Sequence, residues 1–482
     1  MSMNLPSTLS SRAAFRPCSL ALVGLLSLLV LTATAASPKP NIVVFLSDDH
    51  GQLDSTPYGA TDVRTPAMHR LADQGLTFTR AFIASPACAP SRAALLTGLM
   101  PARNGAEANH AFKRDTVRSL PENLRELGYQ TAAFGKVAHN KADTLRHGFD
   151  VSDEKYDAAT VEKFLRERDS AKPLCLLVGT QQPHVPWPRN DGYDPAKVTL
   201  PPTFVDTPET RAFRCRYYTD VTQADTELGE ILALAQKHVP ATNTLFLYTS
   251  DHGAQWPFGK WNLYDSGMAV PMIAVWPGVI PPGHRTAAMV QWIDLLPTFI
   301  EAAGGRSPEG IDGKSFLPVL LGRQDAHREV IFTTHSGDGR MNVYPIRAVR
   351  TGDWKLILNL HPEFAHTTHI DKALARDGGA YWISWFEAAK TNPAAAATVR
   401  RYHERPAVEL YDLHADPFET NNLAAAPTQA ARVKELRSQL EAWMRQQGDQ
   451  QTVFNQPRLL ANPAATRPGR NSGADTATPG EN

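Results

Sequence analysis

Five apolar runs without polar alternation recur along the chain: NIVVFLS (Asn41 to Ser47), TAAFGK (Thr131 to Lys136), PLCLLVG (Pro173 to Gly179), TLFLYTS (Thr244 to Ser250) and MIAVWPG (Met272 to Gly278). Strands that are apolar at every position suit a sheet covered on both faces. Helical patterns with readable ends lie between them. TPAMHRLADQG opens at a Thr65 cap and Pro66 and closes at Gly75, and SLPENLRELG opens at Ser119 and closes at Gly128. Between Pro208 and His238, Phe213, Tyr217, Val221, Ala224, Leu228, Ile231 and Ala235 form one stripe. Strands alternating with helices predict an α/β sandwich around a large mixed, mostly parallel sheet.

The pattern changes after about Gly322. EVIFTTH, IRAVRTGDWKLILNL and AVELYDL read as strands, with Thr351-Gly352-Asp353 as a turn, and TQAARVKELRSQLEAWMRQQ reads as an amphipathic helix. A smaller antiparallel sheet packed with one helix is expected. From Gln451 the chain is rich in Pro, Asn, Gly, Ala and Thr, a composition that predicts disorder. The expected organisation is therefore a signal peptide over 1–36, a catalytic domain over 37–325, a C-terminal subdomain over 326–447 and a disordered tail over 448–482.

The signal assignment rests on Arg12 and Arg16, then SLALVGLLSLLVLTATAA with small residues at Ala33 and Ala35. That run is short for a membrane span, so a secreted or periplasmic protein without a membrane span in its mature form is expected. Lys plus Arg and Asp plus Glu both total 49, which gives no global charge to attract nucleic acid. Removing the signal leaves Cys88, Cys175 and Cys215, which cannot make a disulfide framework. Cys175 reads as a buried thiol.

Polar residues gather just after the apolar runs. Asp48 and Asp49 follow the first, Lys136 and His139 the second, His184 the third, and Asp251 and His252 the fourth. Ligands of open α/β sheets bind at the carboxyl ends of strands, so these residues point to one shared site. Three carboxylates do not stay ionised together without a cation, and oxygen ligands favour Ca²⁺ or Mg²⁺. Arg92, Lys136, His139, His184 and Lys260 form the cationic complement that a tetrahedral anion requires.

The stretch CAPSR followed by LLTG, Cys88 to Gly98, resembles the signature of type I, formylglycine-dependent sulfatases. The resemblance runs from about Asn41 to Trp443. It implies an alkaline-phosphatase/sulfatase-like fold. It also implies that a formylglycine-generating maturation enzyme oxidises Cys88 to 3-oxoalanine. Asp48, Asp49, residue 88, Asp251 and His252 would then hold calcium, and Arg92, Lys136, His139, His184 and Lys260 would hold sulfate or move protons. Of these, His184 or Lys260 would serve as acid to the leaving group and His139 as base for release. The His139 spacing and His252 are similar to iduronate sulfatase. GKWNLYDSG and YPIRAVRTGDWKLILNLHPEF look more like heparan N-sulfatase. The expected substrate is a sulfated glycan, with either sulfate esters or N-sulfate groups cleaved. His335, Asp338 and Arg347 are expected to contact it from loops of the second domain. GGAYWISWFEAAK contributes either to a sugar site or to the core. The alternatives are a phosphodiesterase or phosphonate monoester hydrolase on the same fold, and an inactive glycan-binding homologue. Oligomeric state is left open.

Overall fold

The structure, a computed structural model, describes residues 39–373 and 379–469. The expected signal peptide and residues 470–482 lie outside the described residues. Eight strands form the main sheet in the order Val151–Asp153, Gln130–Gly135, Leu174–Gly179, Asn41–Ser47, Thr244–Ser250, Met272–Val275, Leu76–Phe78 and His284–Thr286. The first five are mutually parallel, and Met272–Val275 runs antiparallel to both its neighbours.

The unbroken apolar runs follow from burial on both faces. In the central strand, Ile42, Val44 and Leu46 join Leu177, Leu245 and Leu247 in one core. Val43 and Phe45 join Leu176, Val178 and Phe246 in the other. The helix Pro66–Gln74 and the far half of Pro208–His238 cover the second core, through Met68, Leu71, Leu228 and Ile231. Thr65 does not cap its helix. Its hydroxyl accepts from Thr56 N (2.9 Å), and the Asp225 carboxylate takes Ala67 N (2.8 Å) and Met68 N (2.7 Å) instead.

A four-stranded antiparallel sheet follows, in the order Ile331–His335, Ile346–Arg350, Trp354–Asn359 and Val408–Asp412. The helix Ala430–Gln447 covers one face with Leu436, Leu440 and Met444. Ile346, Ala348 and Ile357 on the opposite face belong to the same core as the main sheet. Tyr381, Trp382 and Trp385 are fully buried, and Trp385 Nε1 donates to Thr210 Oγ1 (2.7 Å), so the aromatic segment is core. Among the described residues no helix is long and apolar enough to cross a membrane.

The expected disordered tail is corrected for residues 449–469. Arg347 grips Asp449 with two hydrogen bonds (2.5 and 2.9 Å). Ala365 N donates to Arg458 O (2.7 Å), Leu460 N to Glu363 O (3.0 Å) and Gly469 N to Asp371 O (2.7 Å). Lys372 Nζ donates to Ala465 O and Arg467 O (both 2.7 Å). Composition misled because the groups that hold this segment lie elsewhere in the chain. Both side chains of the Arg347–Asp449 pair are 1% exposed. Removing one partner strands a buried charge, so Asp449→Ala should cost about 3 kcal/mol in urea unfolding. A change below about 0.5 kcal/mol would mean that the pair does not anchor the segment.

Candidate metal and anion site

Register places the acidic groups. Asn41–Ser47 and Thr244–Ser250 are parallel neighbours with Ser47 opposite Ser250, so Asp48 and Asp251 leave the sheet side by side. Asp49 turns with φ 67°, a left-handed conformation that Asp tolerates better than most residues. Its N–H donates to Asp251 Oδ1 (3.0 Å). Cys88 opens the helix Cys88–Thr97, and Ser91 Oγ one turn on donates to Asp251 O (2.6 Å). Arg92 Nε donates to Asp251 Oδ2 (3.0 Å), and its Nη1 donates to Lys136 O. One ligand atom from each of Asp48, Asp49, Cys88, Asp251 and His252 lies within 4.8 Å of all the others. All five residues are buried.

This donor set fits a divalent cation. Burial pushes Asp49 up to about 7 against the pull of Lys260 and His252, and Asp48 adds to the rise. Burial opposes ionisation of Asp48 too, but Lys136, His184, Arg92 and Lys260 hold it well below the usual carboxylate range. Burial would lower His252, yet Asp251, Asp49 and Cys88 raise it to about 9. Without an ion, protons and lysines balance the carboxylates. With one, the cation takes over that role.

On the cationic side Arg92 and Lys260 are buried, whereas Lys136 and His184 are partly exposed towards the pocket. Lys136 follows Gly135, whose φ is 71°, and a Cβ there would lie 2.0 Å from Gly179 O. Only glycine allows the turn that sends Lys136 inward. Lys136 Nζ donates to Asp48 Oδ2 (2.5 Å) and lies 3.6 Å from Cys88 Sγ. Lys260 Nζ donates to both Asp49 oxygens at 2.9 Å. His184 Nδ1 bonds Val185 O (2.6 Å), which leaves Nε2 on the site side, 4.0 Å from Asp49 Oδ2. Burial, with Lys260 and Lys136, holds His184 well below its ordinary value and therefore neutral.

His139 reaches the same pocket but bonds away from the cluster. Its Nε2 pairs with His110 Nδ1 (2.7 Å), and His110 Nε2 lies 3.2 Å from Asp338 Oδ1. Burial, Lys136 and His110 hold His139 down at about 3. Asp338 also receives Trp261 Nε1 (2.7 Å) and Asn109 Nδ2 (3.0 Å), and Asn109 Oδ1 accepts Ala89 N (3.0 Å). Asp338 thus ties the second sheet's connection to the residues beside Lys260 and Cys88.

The expectation that His335 and Arg347 meet substrate from loops is corrected. Both lie on strands and are 1% exposed. His335 Nε2 pairs with Asn342 Oδ1 (2.7 Å), while Arg347 is spent on Asp449 and His335 O (2.9 Å). Asp338 is likewise buried with internal partners. The sequence reading missed His110, which no pattern marks. It also missed Asp220, whose signal is an acid next to Val221 on the apolar stripe of a long helix.

Similar proteins bear on this geometry. The family described as sulfatase matches residues 40–305, and the one described as N-sulphoglucosamine sulphohydrolase, C-terminal, matches residues 252–368. An ulvan-active sulfatase from Formosa agariphila is 31% identical over 433 residues, 86% of this chain and 82% of that protein. Human N-sulphoglucosamine sulphohydrolase is 29% identical over 475 residues, covering 86% and 92%. Among solved structures, BT4656 in complex with its substrate D-glucosamine-2-N,6-O-disulfate has a TM-score of 0.66 at 20% identity, covering 87% and 100%. The phosphonate monoester hydrolase SpPMH from Silicibacter pomeroyi has a TM-score of 0.65 at 20% identity, covering 86% and 96%. At that identity the structural likeness speaks for the fold.

The raised values of Asp49 and His252 give the cation-binding prediction its sign. Each group holds a proton in the cation-free fold, and the stability it lends is lost as pH rises, through about 7 for Asp49 and about 9 for His252. A divalent ion displaces those protons, so its stabilising effect should be larger at about pH 8 than at about pH 5.5. At 100 times its Kd the ion should add about 2.7 kcal/mol, read as a rise in melting temperature over a chelated sample. Asp49→Ala should abolish the rise. A rise that survives in Asp49→Ala would place the ion elsewhere.

Proposed function

The chain belongs to the sulfatase family of sulfuric ester hydrolases, and from that premise we propose that it removes sulfate, as an ester or an N-sulfate, from a sulfated glycan. The observation that carries this is the five-residue cluster of Asp48, Asp49, Cys88, Asp251 and His252, met by Lys136 and Lys260. In this reading Cys88 is matured to formylglycine. The same cluster would hold Ca²⁺, with Mg²⁺ second in fit, because a donor set rich in carboxylates suits calcium. An ion held there would supply charge stabilisation at the sulfuryl oxygens, and residue 88, once matured, would supply the nucleophilic hydroxyl and a second hydroxyl for release of sulfate.

The remaining roles belong to side chains of this chain. Arg92 is buried and donates to Asp251 and to Lys136 O, so it positions the cluster and Lys136 rather than reaching out to substrate. Lys136 and Lys260 draw the anionic group in. His184, neutral and with Nε2 on the site side, passes a proton towards the leaving oxygen or nitrogen. Lys260, ion-paired to Asp49, steadies that carboxylate and is the second choice as acid. His139, neutral and paired with His110 through Nε2, keeps an unpartnered Nδ1 that would take the proton when sulfate is released. Export and processing by a maturation enzyme accompany this reading. The names of the relatives span ulvan and N-sulphoglucosamine, so the substrate class proposed is the sulfated glycan as a whole.

The test uses protein made alongside a maturation enzyme. Sulfated sugars and aryl sulfate should turn over faster than an aryl phosphodiester, and the reverse order would favour a phosphodiesterase. The peptide containing residue 88 should carry the aldehyde by mass. Cys88→Ser keeps one hydroxyl and loses the second, so it should give at most one turnover and retain sulfate on residue 88. Cys88→Ala should show no burst. Sustained turnover by Cys88→Ser near the wild-type rate would remove the aldehyde from the mechanism.

A further inference from the structure

The pocket in front of the cluster has a volume of about 530 Å³, the size of a small-molecule site. Asp48 and Lys136 line its depth, and His139, His184 and Asp220 its walls. Asn140, Lys141 and Glu154 are exposed at its edge. Asp220 stands apart from the others. It projects from the helix Pro208–His238 and is 5% exposed. Among the described residues its carboxyl takes no hydrogen bond and no ion pair.

Its surroundings are wholly unfavourable to charge. Burial, then Glu227, Asp48 and Asp49, push it up to about 8. The nearby cations are committed elsewhere, Lys136 to Asp48, Lys260 to Asp49 and Arg92 to Asp251. It is not among the five clustered ligands. A buried carboxyl without a donor costs about 1–3 kcal/mol, and only what enters the pocket can supply one here. Held uncharged, Asp220 can give one hydrogen bond and take another, which a hydroxyl or amino group matches in full and a sulfate, with no hydrogen to give, only in part. The matching group then lies on the part of the substrate that carries the sulfate.

We propose that Asp220 receives a hydroxyl or amino group of the sugar whose sulfate is removed, and so selects the sugar rather than the sulfate. This rests on the glycan-sulfatase reading above. Lys136 and Lys260 take the anionic end of the substrate, and Asp220 takes a donor on its other side. A sugar that turns a second sulfate or a carboxylate towards Asp220 is disfavoured, since neither has a hydrogen to give to its carbonyl oxygen and each adds charge to a place that already resists it.

The experiment compares kcat/KM for N-sulfoglucosamine and glucosamine 6-sulfate with that for 4-nitrophenyl sulfate, in the matured full-length enzyme. The ratio of the better sugar substrate to the aryl substrate should fall about 3- to 10-fold in Asp220→Ala, the loss expected for a hydrogen bond between uncharged groups. Asp220→Asn, of nearly the same shape, should fall less. Binding of the desulfated sugar, followed by titration calorimetry, should weaken in the same order. A ratio unchanged within about twofold, or equal losses on both substrate classes in both variants, would overturn the proposal. A wild-type enzyme that cleaves aryl sulfate but no sulfated sugar would remove the glycan reading and this inference together. Sugar turnover that survives Asp220→Ala with its ratio intact would remove the inference alone.

Discussion

Buried charge is the constraint on which the rest depends. Asp48, Asp49 and Asp251 have no exposed surface, and neither does Arg92, while Lys260 is 2% exposed. Charges taken out of water this completely persist only when each is paired and hydrogen-bonded. The Lys136–Asp48, Lys260–Asp49 and Arg92–Asp251 contacts meet that need within a few ångströms of one another. The same low-dielectric setting strengthens every interaction with an incoming anion or cation. A site of this kind is prepared for charge transfer before a substrate arrives.

Such a cluster requires a rigid frame, and the parallel sheet provides it. Two neighbouring strands end level with one another, so Asp48-Asp49 and Asp251-His252 emerge at one place. The helix Cys88–Thr97 then brings in residue 88 and Arg92 from the opposite core. Every one of its ten residues is buried, which locks the helix and the group at its start. The contact from Ser91 to Asp251 O fixes the helix to the end of the strand directly.

The second sheet supports the site without lining it. Asp338 collects donors from Trp261, Asn109 and His110, and through them steadies Lys260, the Cys88 helix and His139. Arg347 is turned the other way and holds the segment after Ala430–Gln447. Residues that are polar and near the site in sequence pattern therefore divide into two groups. Some face the pocket, and others hold the scaffold that faces it.

Much of this was legible in the sequence because it is local. Unbroken apolar runs mark strands buried on both faces, and residues just past their ends share one edge of the sheet, so Asp48, Asp49, Lys136, His184, Asp251 and His252 could be assembled without coordinates. The CAPSR stretch added residue 88 and Arg92 through resemblance. What the tertiary structure alone decided depends on partners far apart in the chain. Asp449 gives Arg347 a structural role, although Arg347 looks like an anion binder in isolation. The backbone of residues 361–372 orders a tail whose composition reads as disordered. His110 engages Nε2 of His139 and leaves only its Nδ1 free. Asp220 lies on the apolar stripe of its helix, and sequence cannot tell whether such an acid finds a partner there. The answer depends on which side chains from four other segments reach the same volume, and that is fixed only by packing.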